Sequence, residues 1–151
     1  AGKGVEWEEA RKNAIETTQK ACDYAGTKGV FLALENHGGI VPDAENVLAI
    51  VKEVESDWFG VNLDTGNFHT EDPYKDMERC APYAVNVQVK VEISPKGGSK
   101  READFERIIG ILGDADYRGY VALEYESREE PKDAIPRYIE KLQTILDRMQ
   151  G

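Results

Sequence analysis

The stretch YAVNVQVKVEI, residues 83 to 93, alternates with a period of two: Val85, Val87, Val89 and Val91 fall on one side, Asn86, Gln88 and Lys90 on the other. Side chains of a β-strand point alternately to opposite faces, so this is a strand with one aliphatic face and one polar face. Three other short runs repeat the arrangement. In VFLALE, Val30, Leu32 and Leu34 oppose Phe31, Ala33 and Glu35. In FGVNLD, Val61 and Leu63 oppose Gly60, Asn62 and Asp64, and in GYVALEYE, Val121, Leu123 and Tyr125 oppose Ala122, Glu124 and Glu126. Each second face is small or polar and becomes charged toward the C-terminal end of its strand.

Helical patterns separate these strands. Trp7, Ala10, Ala14, Ile15, Thr18, Ala21 and Cys22 recur at helical spacing over residues 6 to 25 and stop at Gly26. Pro42 and Asp43 open a second helix with the stripe Val47, Leu48, Ile50, Val51 and Val54. Shorter helical stretches lie near 73 to 80 and 103 to 112, and a closing helix over about 132 to 149 carries Ile135, Tyr138, Ile139, Leu142, Ile145 and Leu146. Strands joined through helices need crossover connections, so they run parallel.

A parallel sheet with helices on both faces would read hydrophobic on both, and these strands do not. The pattern predicts an α/β chain of the (β/α)8 barrel type, in which one face lies under helices, the other lines a lumen, and chemistry gathers at the C-terminal strand ends. A full barrel takes about 250 residues. The 151 residues here supply one helix and four strand–helix units, a half-barrel read as one domain over 1–151. As a lone sheet it would expose its lumen face and two edges, so the expected partner is a second copy, as a homodimer, or a missing N-terminal half.

Composition narrows the function. A formal charge of −10 disfavours nucleic acid and anionic membrane, whose binding relies on Lys and Arg. No apolar run reaches the roughly 20 residues of a membrane span, and AGKGVEWEEARKN is too charged for a signal peptide. Cys22 and Cys80 form no CxxC pair. A soluble chain with free thiols in a reducing, cytoplasmic compartment is the expectation.

Glu35, Asp64, Gln88 and Glu124 sit one per strand, on the lumen face at or near the strand end. Converging on one mouth, they would offer three carboxylates and an amide oxygen, and the like-charged carboxylates would raise one another's pKa unless a cation neutralised them. Oxygen ligands favour Mg²⁺ or Mn²⁺. The plain alternative is a row of solvated strand ends. Lys90, on the same face as Gln88, is expected to bind a substrate oxygen, stabilise an enediolate or form a Schiff base, unless it is a solvated or ion-paired lysine. His37, just after Glu35, is a further candidate for substrate contact or an ordinary loop residue. The loop SPKGGSK, 94 to 100, reads as a phosphate-receiving segment, a lid, or a plain loop.

In order and spacing, LALENHGG, GVNLDTGN, VNVQVKVE, GGSKREADFERIIGIL and YRGYVALEYES resemble the C-terminal half of the xylose isomerase-like barrels, over residues 5 to 149. That family includes sugar phosphate isomerases and epimerases, ketose 3-epimerases and endonuclease IV. The resemblance implies a metal held by glutamate, aspartate, histidine and glutamate on the last four strands, matched here by Glu35, Asp64 and Glu124. Gln88 stands where the imidazole would be, which weakens the metal site or leaves it empty. Asn67 stands where ketose epimerases tend to have a substrate-binding histidine. The implied activity is isomerisation or epimerisation of a sugar or sugar phosphate in carbohydrate metabolism. A divalent metal would assist, and Glu35 and Glu124 would remove and return a proton through an enediolate. A non-catalytic half-barrel that pairs to complete a barrel is the alternative. An endonuclease IV-like activity ranks third, because its multi-metal site needs several histidines and this chain has two.

Overall fold

The computed structural model describes residues 4–150, with side chains through Arg148; residues 1–3 and 151 of the expected 1–151 unit lie outside the described residues. Helix α1 (Trp7–Gly26) leads into four parallel strands, β1 (Leu32–Glu35), β2 (Phe59–Asp64), β3 (Ala84–Lys90) and β6 (Val121–Glu124). Between them lie α2 (Ala44–Val51), α3 (Pro73–Cys80) and α4 (Phe105–Asp114), and α5 (Pro131–Gln150) closes the order. A two-residue ribbon unforeseen in the sequence, β4 (Glu92–Ile93) paired antiparallel with β5 (Arg101–Glu102), closes the base of the 94–100 loop.

The sheet order β1-β2-β3-β6 is sequential and parallel throughout, and the sheet is unclosed, with β1 and β6 as its edges. This is half of a TIM barrel. Its core lies on one side only: Val61, Leu63, Val87, Val89 and Val91 are fully buried against Val47 and Ile50 of α2, Met77 of α3 and Phe105 and Ile108 of α4. At about 25 cal/mol per Å² of apolar surface removed from water, each such side chain contributes about 1.5–3 kcal/mol. Burial of this one face is what holds the sheet under its helices.

The helix ends follow local chemistry. Asp43 caps α2 by accepting from the Asn46 backbone N–H at 2.9 Å, and Asp104 caps α4 through Arg107 N–H at 3.0 Å. Helix α1 ends at Gly26 as expected, but what calls for a glycine there is packing: a Cβ would lie 2.5 Å from Trp58 Cδ1. The left-handed residue after this helix is Gly29, at φ +67°.

One side chain departs from the period-two reading. The β2–β3 register runs Val61 opposite Ala84, then Asn62 opposite Asn86, so Val85 is an extra residue. Its side chain leaves the aliphatic face, where Ala84 packs instead, and lies against Gly60; a Cβ on Gly60 would meet Val85 Cγ1 at 2.5 Å. Above this irregularity the alternation is restored, and Asn86, Gln88 and Lys90 share the lumen face with Asn62 and Asp64.

Candidate active site at the strand ends

The polar face forms a staircase, because strand register places Glu35 level with Asn62, Asp64 level with Gln88, and Lys90 level with Glu124. Neighbouring strands of a barrel are staggered in this way. The four residues expected at equivalent places therefore stand on three successive steps, with Asp64 and Gln88 sharing the middle one, and two further side chains tie the steps together.

The first is Asn67, in the loop after β2. Its amide donates to Asp64 Oδ2 at 2.8 Å and reaches Glu35 Oε1 at 3.5 Å. The second is Lys90, whose side chain is nearly enclosed. Its ammonium donates to Glu126 Oε2 at 2.7 Å and to Asn67 Oδ1 at 3.2 Å, and stands 3.3 Å from Asp64 Oδ2 and 3.5 Å from Glu124 Oε1. Glu35, Asn67, Asp64, Lys90, Glu124 and Glu126 thus form one continuous cluster. His37 lies beside it, with Nδ1 3.4 Å from Glu35 Oε1.

The backbone around Asp64 is fixed by groups the sequence reading did not single out. Asn36, fully buried just past β1, donates to Asp64 C=O at 2.8 Å and accepts from Asp64 N–H at 2.9 Å, extending the β1–β2 ladder with a side chain. Gly66 N–H donates to Asp64 Oδ1 at 2.8 Å. The Lys90 stem crosses over Gly66, where a Cβ would lie 2.4 Å from Lys90 Cδ, and Lys90 N–H is held by Thr65 Oγ1 at 3.0 Å. Glu126, also absent from the expected site, had a visible signal, since it shares a face with Glu124 at period two.

Electrostatics follow from this enclosure. Burial pushes the Asp64 carboxyl up to about 6; the Gly66 N–H and the Lys90 ammonium pull it down, and the Glu124 charge adds to the rise. Burial pulls the Lys90 ammonium down, but the Glu126 hydrogen bond and the charges of Asp64, Glu124 and Glu126 outweigh it and hold the group above its ordinary value. The Lys90 hydrogen bond holds Glu126 below the usual carboxylate range. Glu124 is split: Oε1 faces Lys90, whereas Oε2 is buried with no hydrogen-bond partner. Such an orphan acceptor is costly unless a ligand supplies a donor.

Gln88 does not join the cluster. Its Oε1 accepts from the Asn62 amide, and Asn62 Oδ1 accepts in turn from Asn86 at 2.8 Å, giving an amide chain across β2 and β3. Among the described residues, no group of three or more His, Cys, Asp or Glu side chains is placed to hold a metal ion. Asp64 and Glu124 face an ammonium, and the Gln88 oxygen is committed to Asn62. The residues in this arrangement do not fit a divalent ion shared among Glu35, Asp64, Gln88 and Glu124.

A cavity of about 230 Å³ opens beside the cluster, lined in part by Asn67, His69, Lys90, Ser94, Lys100 and Glu126. The 94–100 loop contributes Lys100, which pairs with Glu92 at 2.9 Å and donates to Glu126 C=O at 3.0 Å. A larger groove, about 720 Å³, runs between α4 and α5 on the helix side. Ion pairs such as Lys141–Glu102 and Arg148–Glu106 line it, and none of the strand-end carboxylates reaches it. Among the described residues, no helix is long and apolar enough to cross a membrane.

Comparison with known proteins agrees with this architecture. No curated protein matches the chain. Solved structures that do resemble it include 3-keto-D-glucoside 4-epimerase from E. coli, with TM-score 0.74 and 16% identity over 93% of this chain and 56% of that one. An AP endonuclease, family 2, from Brucella melitensis gives TM-score 0.73 and 19% identity, covering 91% of this chain and 57% of that one. A xylose isomerase-like TIM barrel protein from Mycobacterium smegmatis, in complex with magnesium, gives 0.72 and 22%, covering 89% and 50%. At these identities the likeness is one of fold, and the chain spans about half the length of the structures it matches. The family model described as xylose isomerase-like TIM barrel matches residues 1–145, and the chain belongs to that family.

Proposed function

We propose that the strand-end cluster performs proton transfer at the carbon beside a carbonyl in a polyhydroxy substrate, a sugar or sugar phosphate, as an isomerase or epimerase. The observation that carries this reading is Glu124: one oxygen is held toward Lys90 and the other is buried without a donor, on the same mouth as Glu35. A carboxylate oxygen with no donor of its own is open to contact with a substrate C–H. Glu124 removes the proton α to the carbonyl, the Lys90 ammonium stabilises the negative charge that develops on the carbonyl oxygen, and Glu35, steadied by Asn67, returns a proton on the other side. Asn67, His37 and the cavity beside Lys90 receive the hydroxyls. Epimerases among the resembling structures support the substrate class.

The unclosed sheet favours a second reading, a half-barrel module that acts only when paired. A second copy whose β1 adds to β6, and whose β6 adds to β1, would remove both edges and finish the lumen wall.

Incubating the chain with a panel of ketoses and keto-sugars in D₂O tests the first reading by NMR. Exchange at the carbon beside the carbonyl is expected, and Glu124→Gln and Glu35→Gln should each lower it by about 10²–10⁴-fold. No exchange with any member of the panel, in a sample of dimeric mass by light scattering, would set the catalytic reading aside. A monomeric mass would set the paired module aside.

A further inference from the structure

We propose that the Lys90 ammonium takes the place a divalent cation would hold between Asp64 and Glu124, so that this pocket excludes the metal and supplies its positive charge from the chain itself. The inference is about cation occupancy and stands or falls whether or not the chain turns over a sugar.

Four observations carry it. The Lys90 ammonium lies within 3.5 Å of oxygens from Asp64, Glu124, Glu126 and Asn67, a ring of four acceptors around one cation. An ion bound directly to Asp64 and Glu124 would need oxygens at about 2.0–2.2 Å, and its charge would then stand against an ammonium already pressed on the same two atoms. The stem that carries the ammonium is closely packed. It lies on Gly66, where even one added carbon would collide, and the Lys90 backbone N–H is tied to Thr65. The third carboxylate, Glu126, gives Lys90 its shortest contact, 2.7 Å, from beyond the strand end, and so draws the ammonium into the mouth. Finally, Gln88, the neutral group nearest in register to Asp64, is turned to the Asn62 amide, so one prospective ligand is already spent.

The charge pattern fits the same conclusion. An ammonium offers three donors and one positive charge, and here it meets acceptors in several directions. It can hold the oxygen of a carbonyl or enediolate as a hydrogen-bond donor, which a bare ion does only through coordination.

Mn²⁺ binding to the full chain, followed by electron paramagnetic resonance of the free ion, tests the assignment. The wild type is expected to show no tight equivalent, only weak surface binding that Glu124→Gln leaves unchanged. Lys90→Met and Lys90→Gln should each gain one site at least tenfold tighter, lost again when Glu124→Gln is added, while Lys90→Arg should keep the ion out. A tight wild-type site sensitive to Glu124→Gln would overturn the proposal. So would Lys90→Met and Lys90→Gln proteins with native circular dichroism that bind Mn²⁺ no better than the wild type. If neither variant folds, the wild-type titration decides alone. Deuterium exchange by a chain with a tight, Glu124-dependent Mn²⁺ site would sink this inference and leave the catalytic one standing; absence of both exchange and such a site, in a sample of dimeric mass, would do the reverse.

Discussion

The two faces of the sheet both bury aspartate, and they treat it differently. Asp76, on α3, accepts from the Ala44 backbone N–H at 2.9 Å and from the Thr70 hydroxyl, so it joins α3 to the start of α2 and to the loop after β2. Each donor is neutral and each bond is structural. Asp64, at the end of β2, accepts from neutral donors too, but it shares its surroundings with an ammonium and two further carboxylates, and burial still pushes it up to about 6. On the helix side Asp76 is closed off by the neutral groups it joins. On the lumen side charges are crowded together, and one oxygen, Glu124 Oε2, is left without a donor. The difference teaches where the fold spends stability and where it keeps chemistry.

Substitutions on the two faces should therefore separate. The largest loss of stability is expected for Leu63→Ala, whose side chain is fully buried under the helices: about 2–5 kcal/mol in a denaturant titration. Asn86→Ala, on the other face and two residues before Gln88, should cost less than about 1.5 kcal/mol. Equal losses would erase the distinction between the faces.

Titration offers a second route. The folded state holds a proton on Asp64 that the unfolded chain has released once the pH passes its ordinary value of 3.8. Stability linked to this group is thus fully present below about pH 4 and falls as the pH rises toward and through about 6, by at most on the order of 3 kcal/mol and less to the extent that solvent screens the site. Unfolding free energies at pH 4 to 8, compared between wild type and Asp64→Asn, should show that decline in the wild type alone. A decline of the same size in Asp64→Asn would assign it to other groups.

Asp76→Ala comes next, at about 1–3 kcal/mol, because it strands the Ala44 N–H and the Thr70 hydroxyl. Its effect should be on stability with little change in Mn²⁺ or substrate response. The smallest effect concerns the thiols. Burial pushes Cys80 up to about 12 and also raises Cys22, and both are enclosed on the helix side. Neither should react with a disulfide reagent at pH 8 until the chain is unfolded; a rapid native reaction would show that this side opens.

The alternating valines of β3 made the sheet, its two unlike faces and the strand-end location of the acids legible, because period two is a direct consequence of backbone geometry. Glu35, Asp64, Lys90 and Glu124 were all placed on the lumen face this way, and the structure brings them into one cluster through Asn67 and Lys90. The role of Lys90 as the hub was not legible. Period two tells which side a lysine is on, but not that Gly66 would let its stem cross to three carboxylates at once. Asn36 escaped because it lies past β1 and acts through its amide on another strand's backbone, a contact 28 residues away in sequence. Gln88 was placed on the correct face, yet its bond to Asn62 depends on register between strands, which one strand's pattern does not contain. Val85 was misassigned for the same cause.

The extra residue in β3 has a consequence for tolerance to change in length. Val85 sits below the mouth, and pairing resumes at Asn62 and Asn86 above it, so the upper strand takes its phase from its neighbour and not from a count beginning at Ala84. Removing Val85 would straighten the lower part of β3 while leaving Gln88 and Lys90 facing inward. Removing one residue between Asn86 and Lys90 would turn the ammonium out toward the helices.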